Sequence, residues 1–482
     1  MADERLLDDD LTATPDAEES GRPDDRIDDE RHDEDNILKP EFVRRVTDAL
    51  AAGDTDAAYD LVEPLHPADV ADLFELLDRE DRARLASAIT DLMSGDVIAE
   101  LNDHVREDMI EALPAAAVAE IAGELDTDDA VQLIEDLDEE DRRAVLAELE
   151  PEDRAAIESA LAYPEETAGR LMSRDFVAVP EHLTVGDLID YLRDRSDLPG
   201  EFFEVFVVDE RHHPVGTCLL SWVLTTPRAI ALGDVMKRDQ TLIPATLDQE
   251  EVGNMFQKYA LISAAVVDES GRLVGQLTVD DVVHIIAEEA GEDVLLLSGA
   301  GDGDINEPIR EAYSARVRWL VANMLTASVA SFVISRFEGV IAQMVALAVL
   351  MPIVAGIGGN AGTQTLAVTV RALATNQLSS ANTWRAMRRE IKIAALNGGT
   401  VAIIIGTVVA LIFANPLLGG VIAAAMMTNV LVAGIAGVLV PLTLDRLRVD
   451  PAISSSIFVT MTTDSIGFLA FLGFAVLSGL VG

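Results

Sequence analysis

The sequence DPAISSSIFVTMTTDSIGFLAFLGFAVLSGLVG, residues 450–482, largely decides how the chain is interpreted. From Ala452 to Val481 the residues are mostly apolar or small, and the run is long enough to cross a bilayer as one helix. Asp464 is the exception, about twelve residues into the run and roughly 18 Å along a helix, close to the membrane midplane. A carboxylate at that depth costs several kcal/mol unless something compensates for it. The stretch therefore predicts a membrane helix that carries a functional acid.

The residues around this acid indicate what it does. Ser456, Thr460, Asp464 and Gly467 fall on one face of the helix, and that face is small and polar. We interpret it as the lining of a wet pathway. The alternative is a protonated aspartate that is hydrogen-bonded to a neighbouring helix.

The chain is strongly acidic, with 85 Asp and Glu against 35 Lys and Arg and a formal net charge of −50. Phosphate repels such a protein, which argues against a nucleic-acid partner. The acidity has two explanations: a disordered tail over residues 1–36, and a hydrated, salt-tolerant surface of the kind that halophile proteins carry. The chain has only four lysines, which favours the second explanation beyond the tail.

Several protein classes are disfavoured by what the sequence lacks. Cys218 is the single cysteine, so neither an internal disulfide nor a cysteine-rich metal site can form. The first ten residues carry acids where a signal peptide would have a basic segment and an apolar core, so no signal peptide is predicted. No Ser-His-Asp, Walker A or HExxH arrangement occurs, so we do not predict an enzyme.

Residues 37–165 are predicted to form a helical-repeat domain. Apolar residues recur every twelve positions from Leu65 to Leu161, and a second apolar set runs from Leu73 to Ile157 in the same register, four residues earlier. This pattern predicts short stacked helices, each with both apolar residues on one face. The acids between the stripes form a solvated face in one interpretation, and bind a cation against another domain in the alternative.

Residues 166–290 contain one strand-and-helix pattern twice. RLMSRDFVAVPEHLTVGDLIDYL at 170–192 opens the first copy, and DVMKRDQTLIPATLDQEEVGNMF at 234–256 opens the second. The pattern resembles a tandem pair of CBS modules, an α/β regulatory unit. It predicts two similar halves of strands and helices.

The second copy carries Gly275, Thr278 and Asp281 in a spacing that looks like the ribose-contacting motif of CBS modules. The first copy lacks the acid. The resemblance leaves binding of ATP or another adenine nucleotide open at Thr278 and Asp281, and a purely dimerising role is the alternative. His212 and His213 stand beside a proline in a turn, and we expect them to be exposed loop residues.

Residues 291–317 are predicted to form a connecting helix, and residues 318–482 a domain of five membrane spans. The expected spans are 319–336, 339–357, 391–414, 417–443 and 453–481. The loops after the second and fourth spans are basic, so by the positive-inside rule they are cytoplasmic. This arrangement predicts a multi-pass protein of the cytoplasmic membrane, with its N-terminus in the cytoplasm and its C-terminus outside.

The second span is expected to break within MPIVAGIGGNAGTQTLAVTVRALA at 351–374. Pro352 removes a helical hydrogen bond, and four glycines follow within ten residues. Freed carbonyls at membrane depth are tolerated where they line a water-filled cavity, and Asn360, Thr363 and Gln364 add neutral oxygens. Such oxygens, together with one carboxylate, suit a hard cation. Close helix packing through small residues is the alternative.

From about residue 37 to the end, the chain resembles the MgtE family of magnesium channels. The signatures that carry the resemblance are YPEETAGRLM at 163–172, RWL at 318–320, GGNAGTQ at 358–364 and DPA…TTDSIG at 450–467. It implies a multidomain membrane protein with an all-α helical-repeat N domain, an α/β tandem CBS pair, a connecting helix and a five-helix transmembrane domain. It also implies a homodimer in the bilayer, with the ion path on the two-fold axis.

The resemblance also implies which residues form the pore. Asp464 matches the aspartate that holds hydrated Mg²⁺, and Gly356 and Thr460 match positions whose backbone oxygens face that ion. Three further residues match the cytoplasmic constriction of the pore: Asn360, Thr363 and Gln364. The family often has asparagine at the second of these three positions, so this chain departs from the pattern there.

Regulation by Mg²⁺ is implied in the same way. In the family, cytosolic Mg²⁺ bridges acids of the N domain, the CBS pair and the connecting helix, and so closes the pore. The matching acids of this chain are Asp281, Glu289, Glu292 and Asp293. Mg²⁺ would then be both the transported ion and the regulator.

Three functions compete at this stage. The leading one is a Mg²⁺-selective channel that mediates magnesium uptake and is gated closed by intracellular Mg²⁺. The second is a broader transporter of divalent cations (Mg²⁺, Co²⁺, Mn²⁺) coupled to H⁺ or Na⁺, with Asp464 as a proton carrier. The third is a membrane-tethered nucleotide sensor whose spans are only an anchor, although an anchor needs no intramembrane acid.

Overall fold

The computed structural model describes residues 31–33, 37–110, 113–135, 137–195, 198–199, 202–299, 303, 305–379 and 381–481, without the side chains of Asp293, Ile453 and Ser454. Residues 1–30 and 34–36, most of the expected disordered tail, lie outside the described residues. The chain divides into two compact units, residues 1–162 and 163–482.

The first unit is built from short helices, as the twelve-residue pattern predicts. They are α1 (Pro40–Ala52), α2 (Thr55–Val62), α3 (Pro67–Leu76), α4 (Arg79–Ala88), α5 (Gly95–Ala99), α6 (Asp103–Ile110), α7 (Ala115–Glu124), α8 (Thr127–Glu135), α9 (Glu139–Glu148) and α10 (Pro151–Leu161). Their buried faces form one hydrophobic core, in which Phe42, Phe74 and Leu85 are almost fully buried. Arg31 also packs onto this unit, because its Nη1 donates to the Pro64 carbonyl at 3.0 Å.

The later residue of several periodic pairs lies past the end of its helix. Leu77, Leu125 and Leu149 stand at C-cap positions with extended backbone angles, ψ 154°, 157° and 153°. The expectation that both residues of a pair share a helix face was therefore wrong at these positions. The extended residue ends the helix, and at Leu77 and Leu149 its side chain is buried in the core.

Acids of the repeat begin the helices. Asp78 accepts hydrogen bonds from two backbone N–H groups at the start of α4, at 3.1 and 2.9 Å. Asp138 does the same at the start of α9, at 2.9 and 3.0 Å, and these bonds hold the pKa of its carboxyl below the ordinary value. The segments LDREDR and LDEEDR therefore resemble one another because each contains an N-cap.

Arginines on the same twelve-residue register close the other end of the helices. Arg82 donates to the Phe74 carbonyl at 2.8 Å. Arg142 and Arg154 likewise donate to the Glu135 and Ala147 carbonyls in the last turn of the preceding helix, at 2.9 and 2.7 Å. Arg106 donates to the Leu101 carbonyl, two residues past α5, at 3.2 Å. The last carbonyls of a helix have no partner within it, so these side chains satisfy them. The sequence analysis missed this second, cationic period.

The second unit begins with α11 (Ala168–Leu171) and continues with two similar halves. The first contains β1 (Ala178–Pro180), α12 (Val185–Asp194), β2 (Glu204–Val208), β3 (Pro214–Leu219) and α13 (Leu220–Thr225). The second contains α14 (Leu232–Val235), β4 (Leu242–Pro244), α15 (Gln249–Tyr259), β5 (Ser263–Val267) and β6 (Leu273–Thr278). In each sheet the first strand is parallel to the second, and the second is antiparallel to the third.

The segment before each half pairs with the sheet of the other half. Ser173 and Gln276 exchange two backbone hydrogen bonds, each 2.9 Å. Lys237 and Thr217 exchange the equivalent pair, at 2.8 and 3.0 Å. The two halves are therefore interlocked, and each sheet is completed by the neighbouring half.

His213 also joins the two halves, which corrects one expectation. Its Nδ1 lies 3.0 Å from the Asp209 carboxylate and its Nε2 3.2 Å from the Ser270 carbonyl in the other half. Hydrogen bonds to Asp209, led by the backbone N–H of His213, lower the pKa of that carboxyl to about 2. His212 is exposed, as expected, but His213 is partly buried between the two turns.

Seven helices complete the second unit. They are α16 (Val279–Ser298), α17 (Ile309–Ser335), α18 (Glu338–Gln343), α19 (Ala346–Ala374), α20 (Thr383–Ile412), α21 (Pro416–Arg446) and α22 (Pro451–Leu477). In the part of the chain that the structure describes, five of them are long and apolar enough to cross a membrane: α17, α19, α20, α21 and α22. In the most apolar 18-residue segment of α21, 61% of the residues are buried, against 6% in α17, so α21 lies at the centre of the group.

Two expectations about these helices were wrong. The second span was expected at 339–357 with a break in its glycine-rich end, but α19 runs unbroken through Pro352 to Ala374. Neighbouring helices support its glycines: a Cβ atom on Gly362 would lie 2.5 Å from Val459 Cγ1. The first span was expected to begin after a separate connecting helix, but the end of that segment and the span form the single helix α17.

We predict that Arg82→Ala destabilises the first unit locally by about 2 kcal/mol, because it removes a buried cationic donor and leaves the Phe74 carbonyl with only the 3.2 Å bond from the Leu77 N–H. Hydrogen–deuterium exchange of the full-length protein measures this as roughly 30-fold faster exchange in α3. Arg143→Ala is the matched control, because Arg143 is 70% exposed and pairs only with Glu139. Equal exchange in the two variants would contradict the role given to Arg82.

Candidate functional site

Helices α19 and α22 pack closely along small residues, and these contacts fix which residues share a level. A Cβ atom on Gly362 would lie 2.5 Å from Val459 and 3.6 Å from Thr463. Gly358 and Gly467 both face the same side chain, that of Asn429 on α21. Since the residue numbers run in opposite directions along the two helices, they are antiparallel, and Asn360 lies about level with Asp464.

The predicted pore residues spread along this line. Thr363 and Thr460 lie at one level along the helix axes, about one turn, roughly 6 Å, from the level of Asp464. Gly356 lies about the same distance from the level of Asp464 on its other side. Gly356, Asn360 and Thr363 are exposed in the single chain, and Thr460 and Asp464 are half-exposed. An open, polar strip therefore runs along α19 and α22.

Asp464 has no protein partner within the described part of the chain. No hydrogen-bond donor and no basic side chain there contacts its carboxylate, although neighbouring hydroxyls such as those of Thr462 and Thr463 donate to backbone carbonyls of α22. This geometry does not favour the alternative of an aspartate hydrogen-bonded to a neighbouring helix.

Gln364 lies at the edge of the strip and faces a different space. It lines a cleft between α19, α20 and α21, together with Arg389, Glu390 and Asn397. Glu390 is buried and accepts a hydrogen bond from Arg389 at 2.6 Å. The structure therefore brings Asn360 and Thr363 into line with Asp464 but turns Gln364 partly away from it.

Asn429 is a packing residue beside the strip that the sequence analysis missed. It is completely buried, and its Nδ2 donates to the Val354 carbonyl at 2.9 Å. Its Oδ1 has no hydrogen-bond partner among the described residues. The side chain fills the space that Gly358 and Gly467 leave open, so it sets the spacing of α19, α21 and α22. A lone asparagine in the apolar fourth span was the available signal.

The end of α16 covers the cytosolic-domain side of this strip. Leu296 and Leu297 pack against Leu366 and Val370 of α19 and against Ala452 and Val459 of α22. These positions on α19 lie one to two turns beyond Thr363. The second CBS half contacts the same helix, because Asn254 donates to the carbonyl of Ala374, the last residue of α19, at 3.0 Å.

Acids gather beside this contact. Burial raises the pKa of Glu292, and four further acids raise it more: Glu289, Glu166, Asp450 and Glu288. Sequence reasoning missed Glu166 and Asp450, which come together with α16 only in the folded unit. Glu289 also accepts a hydrogen bond from Gln249 at 2.5 Å.

The other predicted regulatory residues do not all join this group. Asp281 accepts a hydrogen bond from Thr278 and lies about 16 Å from Glu292 along α16. The side chain of Asp293 lies outside the described residues. No group of three or more acids, histidines or cysteines that could hold a metal ion occurs among the residues described. The acids are therefore close enough to repel one another but are not arranged as a finished coordination site.

Three family models match the chain. The "divalent cation transporter" model of MgtE covers residues 351–474, the MgtE intracellular N domain covers 65–166, and the CBS domain covers 168–219 and 232–288. The first range takes in the last four of the five membrane helices, the second most of the helical repeat, and the third the two interlocked halves.

Similar proteins cover nearly the whole chain. The magnesium transporter MgtE of Bacillus subtilis is 30% identical over 449 residues, which are 91% of this chain and 98% of that protein. The magnesium transporter MgtE of Thermus thermophilus is 31% identical over 437 residues, 89% and 96% of the two chains. A crystal structure of the cytosolic domain of the Mg²⁺ channel MgtE in complex with ATP is 29% identical, with a TM-score of 0.47, and covers 50% of this chain and 99% of that one.

The helical repeat, the CBS pair and the five apolar helices define a multi-pass membrane transport protein with cytosolic-type regulatory domains. The extent and identity of the matches then assign the family. The chain belongs to the MgtE family of divalent cation transporters.

We predict that Gly358→Ala lowers the free energy of unfolding by about 2 kcal/mol, the usual scale of overpacking. The measurement is the melting temperature of the detergent-solubilised protein, which should fall. The added Cβ atom would lie 2.0 Å from Asn429 Nδ2. Gly359→Ala is the matched control, because no atom lies within 4 Å of its added Cβ and alanine favours the helix. A melting temperature that falls equally in both variants would contradict the packing role of Asn429.

Proposed function

We propose that this protein conducts Mg²⁺ across the cytoplasmic membrane along the polar strip of α19 and α22. The observation that carries the proposal is the Asp464 carboxylate, half-exposed at membrane depth and without a partner in the described part of the chain. A cation in the pathway supplies the missing compensation. The names of the two full-length relatives support Mg²⁺ as that cation.

A channel fits this strip better than a transporter coupled to H⁺ or Na⁺. Mg²⁺ gives up its water reluctantly, so one carboxylate with neutral oxygens about 6 Å to either side suits the hydrated ion. Gly356 and Thr460 would contribute backbone oxygens, and Asn360, Thr363 and Gln364 the constriction. A proton relay needs further titratable groups in line, and the described parts of the strip offer none beside Asp464.

We also propose that the protein acts as a homodimer with the strip on the two-fold axis. Gly356, Asn360 and Thr363 are exposed in the single chain, where lipid would contact polar groups. A second copy related by a two-fold axis would place two such strips face to face and exclude lipid from both. Two Asp464 carboxylates would then face one ion.

The orientation we propose has the N-terminus in the cytoplasm and the C-terminus outside. The segment between α19 and α20, together with the first turns of α20, carries Arg385, Arg388, Arg389 and Lys392. The turn between α21 and α22 carries Arg448. Both lie on the side of the membrane that α16 covers, in agreement with the positive-inside rule.

We propose that cytosolic Mg²⁺ gates the pathway through the acids beside α16, and the electrostatics of Glu292 support this. Because the raised pKa of Glu292 reflects burial and neighbouring acids, its ionised form opposes the packed arrangement that holds Leu296 and Leu297 against α19. A divalent cation removes that repulsion and so favours the packed, closed form. Glu289, Glu292 and Asp293 are the proposed regulatory acids on α16, with Asp281 a separate one nearer the CBS pair.

An adenine nucleotide such as ATP is proposed for the second CBS half only. Thr278 and Asp281 are hydrogen-bonded to each other at the junction of β6 and α16, so a ligand there would act directly on the helix that covers the pathway. The CBS domain model matches both halves, and the restriction to the second half rests on Asp281, the acid that the first half lacks.

We predict that Asp464→Asn reduces Mg²⁺ flux into liposomes by at least tenfold while the protein stays folded, because it removes the charge that compensates the ion. Asp445→Asn is the matched control, since Asp445 is exposed near the end of α21. Flux is measured without a gradient of H⁺ or Na⁺. Flux at the wild-type level in Asp464→Asn would contradict the pore assignment. Flux of the wild-type protein only when an H⁺ or Na⁺ gradient is imposed would favour the coupled transporter.

We predict that Glu292→Gln raises the protease protection of the cytosolic segments without Mg²⁺ and shrinks the further protection that Mg²⁺ gives. Because the pKa of Glu292 is raised in the packed form, protonation of Glu292 favours that form. The free-energy cost of the ionised carboxylate in the packed form therefore grows as the pH rises from the ordinary pKa of 4.5 through the raised one. Wild type should therefore come to resemble the variant as the pH falls to 4.5 and below. Glu269→Gln, on an exposed turn, is the control. If protease protection of Glu292→Gln rises with Mg²⁺ along the same curve as that of the wild type, Glu292 does not have this role.

A further inference from the structure

Helix α20 has two opposite faces that run along its whole length. Four residues of its first half are buried against the other helices: Met387, Glu390, Ala394 and Gly398. Five exposed residues form the opposite face, within about 60° of one direction at 100° per residue: Arg385, Arg388, Lys392, Leu396 and Ile403. The first three, named here the basic stripe, are all cationic.

The basic stripe is not neutralised by the protein. Within the described residues, no carboxylate lies within salt-bridge distance of Arg385, Arg388 or Lys392. Glu390, the one acid in this part of the helix, is turned inward and pairs with Arg389 at 2.6 Å. In a chain with 85 acids and 35 bases, three adjacent cations left without acids are unexpected. Within the described residues these three cations are therefore open to an anionic partner from outside the chain.

The same face continues directly into the membrane. Leu396 is 73% exposed and Ile403 is 72% exposed, at the level where lipid chains contact a spanning helix. Lys392 precedes Leu396 by one turn, about 6 Å along the axis. The basic stripe therefore lies at the depth of the headgroups of those same lipids.

Trp384 marks this depth independently. Its ring is 63% exposed, and the guanidinium carbon of Arg388 lies 5.1 Å from the ring centre. Tryptophan is enriched where a membrane helix passes from lipid into water. An aromatic ring beside a cation at this level suits a headgroup that presents a negative charge.

We propose that the basic stripe binds the anionic headgroups of phospholipids in the leaflet at this end of α20. A second copy of the chain is a poorer occupant, because a two-fold contact across this face would bring like charges together. Each cation near an anionic surface strengthens binding roughly fivefold, so three contribute on the order of 100-fold. The preference weakens as salt screens the charges.

The test uses the full-length protein with Trp384 as the only tryptophan, made by Trp222→Phe and Trp319→Phe, in lipid nanodiscs. Brominated phosphatidylglycerol or brominated phosphatidylcholine quenches Trp384 when it occupies the stripe. We expect the anionic lipid to quench at a lower mole fraction than the zwitterionic one. Raising the salt to about 1 M should reduce this preference.

Three variants separate charge from structure. R385Q/R388Q/K392Q should reduce the preference at least tenfold, and R385K/R388K should keep it because the charges remain. R44Q/R211Q/K237Q removes three exposed charges outside the membrane helices and should change nothing. Equal quenching by both lipids in the protein with the stripe intact, or an unchanged preference in the triple Gln variant, would overturn the proposal. Dissociation of R385Q/R388Q/K392Q into single chains without any loss of lipid preference would also overturn the proposal. The basic stripe would then belong to a contact between copies of the chain.

Discussion

The close approach of α19 and α22 is the interaction on which the rest of the membrane region depends. Gly362 allows Val459 and Thr463 to touch the backbone of α19, and Asn429 fills the gap beside Gly358 and Gly467. Without the hydrophobic effect between helices in lipid, such packing and a buried amide are what hold spans together. The contact places two polar helix faces side by side, so that one carboxylate and several neutral oxygens form a continuous strip.

In the proposed function, regulation and conduction would share the same helices, so charge outside the membrane would act on the pathway. The end of α16 covers α19 and α22 with two leucines, an apolar contact that is favourable by itself. The acids on and around α16 oppose that contact through mutual repulsion, as the raised pKa of Glu292 indicates. The balance between apolar burial and repulsion is therefore one that a small, highly charged ion can shift.

The sequence predicted the order and type of the elements because period and composition are local properties. It predicted the membrane helix that contains Asp464, the duplicated sheets and the short repeated helices. It failed where distant residues decide the outcome: α19 does not break, because α22 supports its glycines, and Asn429, Glu166 and Asp450 gain their roles only from their neighbours in the fold. The leucines past the helix ends were misassigned because periodicity alone does not locate where a helix stops.

The interlocked halves of the CBS pair have an evolutionary consequence. Each sheet borrows its outermost segment from the other half, through Ser173 on one side and Lys237 on the other. Deleting one half would leave the survivor with an uncovered sheet edge, prone to pair with other chains. Once the ancestral module had duplicated and exchanged these segments, neither half could be lost singly. The two could still diverge in the residues after their third strands, as Asp281, an acid found only in the second half, illustrates.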